Sequence, residues 1–251
     1  MLEGKVVVVT GGGRGLGQAY ALEAARHGAK VVVGDILDCG HTIRQIDAIG
    51  GTAIDVEFDV TKMATVTSLT ESTIEAFGAI DVLINNAALY GGLTGGRFDL
   101  LAEDDWDRTM SVNVKGIWNC CKAVVPHMKT AGRGSIINVA SLAATYGLPF
   151  ALHYTTSKAA VIGMTRGLAR ELGRNEIRVN AIAPTAVLTD GTAEFFGDKT
   201  EGAMEVIKDD QSIKRNPTPD DIIGTVMWLA SDASGFVTGQ TIAIDGGTVM
   251  S

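Results

Sequence analysis

Residues 5–17 read KVVVVTGGGRGLG and residues 30–35 read KVVVGD. Lys5–Thr10 is a short β-branched run that stops on glycines, the pattern of a buried strand. Gly15–His27 follows with helical spacing of Leu16, Ala19, Tyr20 and Leu22 to Ala25, and Gly28 closes it as a helix cap. Lys30–Asp35 is a second buried strand. Strand, glycine turn, helix and strand make a βαβ unit, which lays two parallel strands side by side.

Outward from this unit the alternation continues. Thr52–Asp59, Ile80–Asn85, Gly134–Ser141, Ile177–Ala183 and Thr241–Asp245 read as strands. Asp104–Thr130 reads as one long helix interrupted near Pro126, and Leu152–Gly173 and Pro219–Ser231 as further helices. Thr185–Pro217 reads as irregular or loosely helical. Seven strands with intervening helices predict an α/β, doubly wound parallel sheet with helices on both faces. Residues 1–251 show no repeat or linker. They read as a single dinucleotide-binding catalytic domain with a substrate-lid segment at about 185–217.

The first turn, Thr10-Gly11-Gly12-Gly13-Arg14-Gly15-Leu16-Gly17, follows a strand and opens a helix. Glycines let the backbone approach a pyrophosphate, and the helix N-terminus offers N–H groups and the positive end of a dipole. Such a turn can also be structural only. Asp35 ends the second strand, where a carboxylate can accept from both hydroxyls of an adenosine ribose and repels a 2′-phosphate. Arg14 points the other way, since it could pair with that phosphate. The like charge of Asp35 beside the phosphate decides for NAD.

Tyr154 and Lys158 stand at i and i+4 on one helix face. A free Tyr has a pKa of about 10 and is a poor base at neutral pH. A nearby ammonium and the positive nicotinamide of NAD⁺ both favour phenolate, so the value is expected to fall. Ser141 lies at the carboxyl end of a strand, where ligands bind in open α/β sheets.

Taken together, Thr10-Gly11-x-x-x-Gly15-x-Gly17, Asp59, Asn85-Asn86-Ala87, Asn113, Ser141, Tyr154-x-x-x-Lys158 and Asp245-Gly246-Gly247 resemble the short-chain dehydrogenase/reductase family over essentially the whole chain. The resemblance implies a Rossmann-type fold, an NAD cofactor and four catalytic residues. Tyr154 is then the general acid/base and Ser141 the partner of the substrate oxygen. Lys158 holds the nicotinamide ribose and tunes Tyr154, and Asn113 supports a proton-relaying water. Gly11, Arg14, Gly15, Leu16, Gly17, Asp35 and Ile36 fall to the cofactor. Asp59 and Val60 flank the adenine, Asn86 and Ala87 line the cleft, and Pro184, Val187 and Thr189 meet the nicotinamide end. It also implies a homotetramer, built on Asp104–Thr130 and Leu152–Gly173. Ala88 and Thr185 depart from the family's usual glycines, and Thr185 narrows the pocket on this reading.

Tyr90, Ala143 and His153 join Ser141 and Tyr154 as substrate residues, with Leu142, Ala144, Tyr146, Leu148, Thr185 and Val187 as further neighbours. His153 either touches substrate or packs under the helix. Phe195, Phe196 and Met204 either pack or cap an apolar pocket. None of these residues carries a positive charge, and Arg97 on a glycine-rich loop is the nearest exception. A neutral, apolar secondary alcohol, cyclic or aryl, and its ketone are therefore expected as substrates.

Composition narrows the partners. The net charge is −8, with no Lys/Arg run longer than two, so nucleic acid is not an expected partner. No stretch reaches the roughly 18 apolar residues of a membrane span. Cys39, Cys120 and Cys121 form neither a disulfide framework nor a metal cluster, and His27, His41 and His127 lack ligand spacing, so no metal is expected. A reduced, cytoplasmic setting fits. Two other functions share these motifs: a 3-oxoacyl thioester reductase and a regulatory protein that senses NAD(H) without turnover. Asp35 argues against the first and its usual NADPH, the negative charge argues against an acidic carrier partner, and the full set of four catalytic residues argues against the second.

Overall fold

The computed structural model describes residues 1–250. Its elements run β1 (Val6–Thr10), α1 (Gly15–Arg26), β2 (Lys30–Asp35), α2 (Gly40–Ala48), β3 (Thr52–Glu57), α3 (Met63–Phe77), β4 (Val82–Asn85), α4 (Glu103–Met110), α5 (Gly116–Ala131), β5 (Gly134–Val139), α6 (Ala143–Tyr146), α7 (Leu152–Leu172), β6 (Ile177–Pro184), α8 (Asp190–Phe196), α9 (Thr200–Asp210), α10 (Pro219–Ala230) and β7 (Thr241–Ile244). The seven strands form one sheet in the order β3-β2-β1-β4-β5-β6-β7. Every pairing is parallel. This is the expected doubly wound α/β architecture.

The valine runs explain the two-sided burial. Alternate side chains of a strand point to opposite faces. Val7, Val9, Val31 and Val33 enter one apolar cluster with α1 and α10, while Val8 and Val32 enter another with α3, α5 and α7. Cys39 belongs to the first cluster, and Cys120 and Cys121 to the second, all three as free thiols. No helix among the described residues is long and apolar enough to cross a membrane.

Two local expectations are corrected. The long helix is not interrupted near Pro126, which lies inside α5. Pro126 and Lys122 are both exposed, so the Lys122 carbonyl that loses its helical partner faces water. The irregularity instead lies at Ser111–Lys115, a π-helical turn between α4 and α5. Residues 185–217 are also more ordered than expected, because α8 and α9 occupy much of that span. Short helices joined by a single 3-10 turn at Gly197–Lys199 leave too little periodicity to read.

Candidate functional site

Chain order reverses between β1 and β4, with β2 and β3 on one side and β5 to β7 on the other. In open parallel sheets the crevice at the carboxyl ends of such neighbours is the natural binding place. A cleft of about 1080 Å³ runs along it here.

The floor is made by the turns after β1 and β4. Gly11 takes φ +68° and Gly15 φ +59°, conformations that side chains disfavour. A Cβ on Gly11 would stand 2.8 Å from the Cα of Ala87, so the two turns meet backbone to backbone. Thr10 clasps them: its hydroxyl accepts from the N–H groups of Asn86 and Ala87 at 3.0 Å each. Asn86 Nδ2 returns bonds to the carbonyls of Thr10 and Gly11 at 3.1 and 3.0 Å. Arg14 at the start of α1 places no capping side-chain acceptor there. The first-turn N–H groups and the dipole's positive end are thus left for an anion.

Gly17 serves a different purpose. It is buried, and a Cβ there would lie 2.0 Å from the Gly11 carbonyl oxygen. The glycine lets α1 pack against the turn. Gly17→Ala is therefore expected to destabilise the fold by about 3 kcal/mol through overpacking. Denaturant unfolding measures this, and a midpoint equal to that of the wild type would show that the turn yields without cost.

Asp35 closes one end of the cleft. Its carboxylate accepts from Gly13 N–H at 2.9 Å and Leu37 N–H at 3.1 Å. Two bonds leave lone pairs free on a group that can accept about four. A Cβ on Gly13 would sit 3.1 Å from that carboxylate. The glycine turn and the carboxylate thus form one continuous cradle, whose donor and acceptor set fits a pyrophosphate and an unphosphorylated ribose.

At the other end the chain leaves β5 at Val139 and reaches Ser141. Ser141 Oγ accepts from Ala143 N–H at 3.1 Å, and Ser141 and Tyr154 both border the cleft. Lys158 Nζ donates to the Val139 carbonyl at 2.7 Å and stands 5.7 Å from the Tyr154 ring centroid. Burial pulls the Lys158 ammonium down to about 8. Burial also pushes the Tyr154 phenol above its ordinary value, with Tyr90 adding to the rise and Ser141 opposing it. Desolvation sets this direction, against the lowering expected from the Lys158 ammonium and the nicotinamide together.

Asn113 explains the π-helical turn. Its Oδ1 accepts from Leu89 N–H at 2.7 Å, and its Nδ2 donates to the Leu89 carbonyl at 3.2 Å and to Ser157 Oγ at 3.1 Å. The extra residue in the turn aims this buried amide at the strand-β4 loop and at α7.

Residues 11–249 match the family model described as enoyl-(acyl carrier protein) reductase. The chain is 39% identical over 254 residues to 3-oxoacyl-(acyl-carrier-protein) reductase of Thermotoga maritima, covering 99% of both proteins. The chain belongs to the short-chain dehydrogenase/reductase family. This short-chain dehydrogenase/reductase is also 39% identical over 249 residues to 2-dehydro-3-deoxy-D-gluconate 5-dehydrogenase of Escherichia coli, across 98% of this chain and 96% of that one. Its backbone matches the crystal structure of levodione reductase with a TM-score of 0.92 and 30% identity, covering 98% of each chain. It is an oxidoreductase of a family that generally uses nicotinamide cofactors.

In this short-chain dehydrogenase/reductase the cleft wall carries Gly11, Arg14, Gly15, Leu16, Asp35, Ile36, Asp59, Val60, Asn86 and Ala87. Pro184, Val187, Thr189, Tyr90, Ser141, Ala143, Tyr154 and Lys158 also line it. Six expected residues lie off it: Gly17, Asn113, His153, Ala144, Phe195 and Met204. Gly17 and Asn113 sit behind the wall, as described. His153 is fully buried and does not border the cleft, and neither ring nitrogen has a hydrogen-bond partner. Of its two readings, the geometry gives packing. Arg97 is also off the wall, ion-paired with Asp99 at 2.8 Å.

Other features escaped the sequence. Tyr90 stacks on Phe195 at 4.9 Å and tilts against Tyr154 at 5.3 Å, so the three rings form one cluster. Asp198, Lys199 and Asp210 line the cleft, and the Tyr146 hydroxyl donates to Asp210 at 3.1 Å. The expectation of a pocket without positive charge is thus corrected: Lys199 stands on the wall together with Asp198 and Asp210. Phe195, Asp198, Lys199 and Asp210 lie on α8, α9 or their junction, whose path was not legible.

Proposed function

We propose that this protein is an NAD(H)-dependent dehydrogenase interconverting a neutral, largely apolar secondary alcohol, cyclic or aryl, and its ketone. One observation carries the reading. Ser141, Tyr154 and Tyr90, with Phe195 stacked on Tyr90, mark one end of a cleft whose other end carries Asp35.

The nicotinamide, when bound, supplies or accepts the hydride. The chain does the rest. Ser141 Oγ holds the substrate oxygen, and Tyr154 gives it a proton in reduction or takes one in oxidation. Two donors converging on one oxygen stabilise the developing alkoxide. Lys158 holds the ribose of the nicotinamide. Asn113 acts as a positioning residue, by fixing Leu89 and Ser157. Asp59 and Val60 flank the adenine, Pro184, Val187 and Thr189 border the nicotinamide, and Tyr90 and Phe195 exclude water. In this reading the protein is a homotetramer built on α4–α5 and α7.

A 3-oxoacyl thioester reductase is the second reading, favoured by the 39% identity to the Thermotoga maritima protein. The net charge of −8 opposes an acidic carrier partner. The deciding measurement is kcat/KM across a matched series: an aryl or cyclic secondary alcohol, a 3-hydroxyacyl thioester, a sugar and a hydroxy acid. The aryl or cyclic alcohol is expected to lead. A tenfold lead for the thioester or the charged acid, about 1.4 kcal/mol of transition-state preference, replaces this reading with another.

A further inference from the structure

Arg14 is the residue of the glycine turn best placed to oppose an NAD preference, because a free guanidinium beside the adenosine ribose would welcome a 2′-phosphate. It is not free. Its two terminal nitrogens grip both carboxylate oxygens of Glu194 on α8, one of them at 2.9 Å. The contact joins residues 180 positions apart in the chain. Gly91 holds Glu194 in place: a Cβ there would lie 3.0 Å from the Glu194 Cβ, so the loop backbone lies flat on that side chain. The start of α8 is itself set beside the glycine turn, with the Thr189 Cβ 3.9 Å from where a Gly15 Cβ would be.

The charges around Arg14 are one-sided. Glu194, Asp190 and Asp35 all act on the guanidinium, with Glu194 dominant. One positive group among three carboxylates leaves a net negative field at the ribose end of the cleft. A 2′-phosphate is close to doubly negative at neutral pH. It would need to displace Glu194 from Arg14 and also stand beside Asp35.

We infer that Glu194 is a cofactor-specificity residue that excludes the 2′-phosphate by masking Arg14 from across the cleft. This rests on reading the cleft as an NAD(H) site. Asp35 repels the phosphate directly, while Glu194 withholds the one cation that could compensate. An exposed ion pair adds little to stability, and the side chains of Arg14 and Glu194 are 45% and 44% exposed. Removing Glu194 therefore leaves the fold intact and changes which anion Arg14 can hold.

The test is calorimetric titration of the whole protein with 5′-AMP and with adenosine 2′,5′-bisphosphate, which differ by the phosphate in question. The wild type is expected to bind AMP more tightly. Glu194→Gln and Glu194→Ala are expected to tighten the bisphosphate about tenfold and leave AMP within about twofold. In the Arg14→Ala background the Glu194 substitutions are expected to give no gain, because the guanidinium is the group unmasked. If the wild type binds both ligands equally, the NAD(H) reading fails. If the wild type discriminates but neither Glu194 variant tightens the bisphosphate, or if the gain persists without Arg14, masking is overturned and the NAD(H) reading stands.

Discussion

Tyr154→Phe is expected to lower turnover by roughly 100-fold or more, the lower end of what a positioned acid/base contributes, while NADH binding holds within about twofold. The substitution removes one oxygen and keeps the ring. The contact with Tyr90 at 5.3 Å survives, so the aromatic cluster keeps its shape. Ser141 keeps its bond from Ala143 N–H and still holds the substrate oxygen. What disappears is the proton. Burial raises the Tyr154 phenol, which keeps it protonated and ready to donate in ketone reduction. In alcohol oxidation the same residue must lose its proton first, so oxidation is expected to rise with pH more steeply than reduction. Single-turnover rates and NADH fluorescence titration separate chemistry from binding. Near-normal turnover in the variant would mean that another group moves the proton.

The second large effect is cofactor choice. NAD(H) is expected to exceed NADP(H) by roughly two orders of magnitude in kcat/KM, since an uncompensated carboxylate–phosphate contact costs about 3 kcal/mol and each tenfold is 1.4 kcal/mol. Asp35 cannot swing away to avoid the phosphate. It is buried at the end of β2 and held by the N–H groups of Gly13 and Leu37. Asp35→Ala is expected to narrow the gap by at least tenfold. Steady-state kinetics with both cofactors check this, and comparable kcat/KM values in the wild type would sink it.

The parts of the fold that could be read in advance are those where one local pattern has one physical solution. A β-branched run, a glycine turn and an amphipathic helix admit little besides a βαβ unit, and Asp35 is placed by the end of β2. Tyr154 and Lys158 share a helix face whatever surrounds them. The π-helical turn at Ser111–Lys115 left no such mark, because inserting one residue shifts periodicity without altering composition. Pro126 drew the break toward itself although water solvates the freed carbonyl there. The α8–α9 side of the cleft was least legible. Lys199 and Asp210 reach the cleft only because α8 and α9 fold back over it, and Arg14 meets Glu194 through tertiary packing. His153 shows the converse: its neighbour Tyr154 faces the cleft, and successive helical residues point about 100° apart, so His153 turns inward.

The buried cysteines offer a use of their own. Cys39 lies on one face of the sheet and Cys120 and Cys121 on the other. Burial pushes the Cys39 and Cys121 thiols up to about 12 and drives Cys120 in the same direction. A thiol reagent attacks only the thiolate, so each sulfur stays silent until the layer covering it opens. The chain therefore carries two reporters of opening, one per helical layer, without any introduced label. Equal modification rates at the two places would mark the layers as one cooperative unit, and unequal rates would divide the fold into separately opening parts.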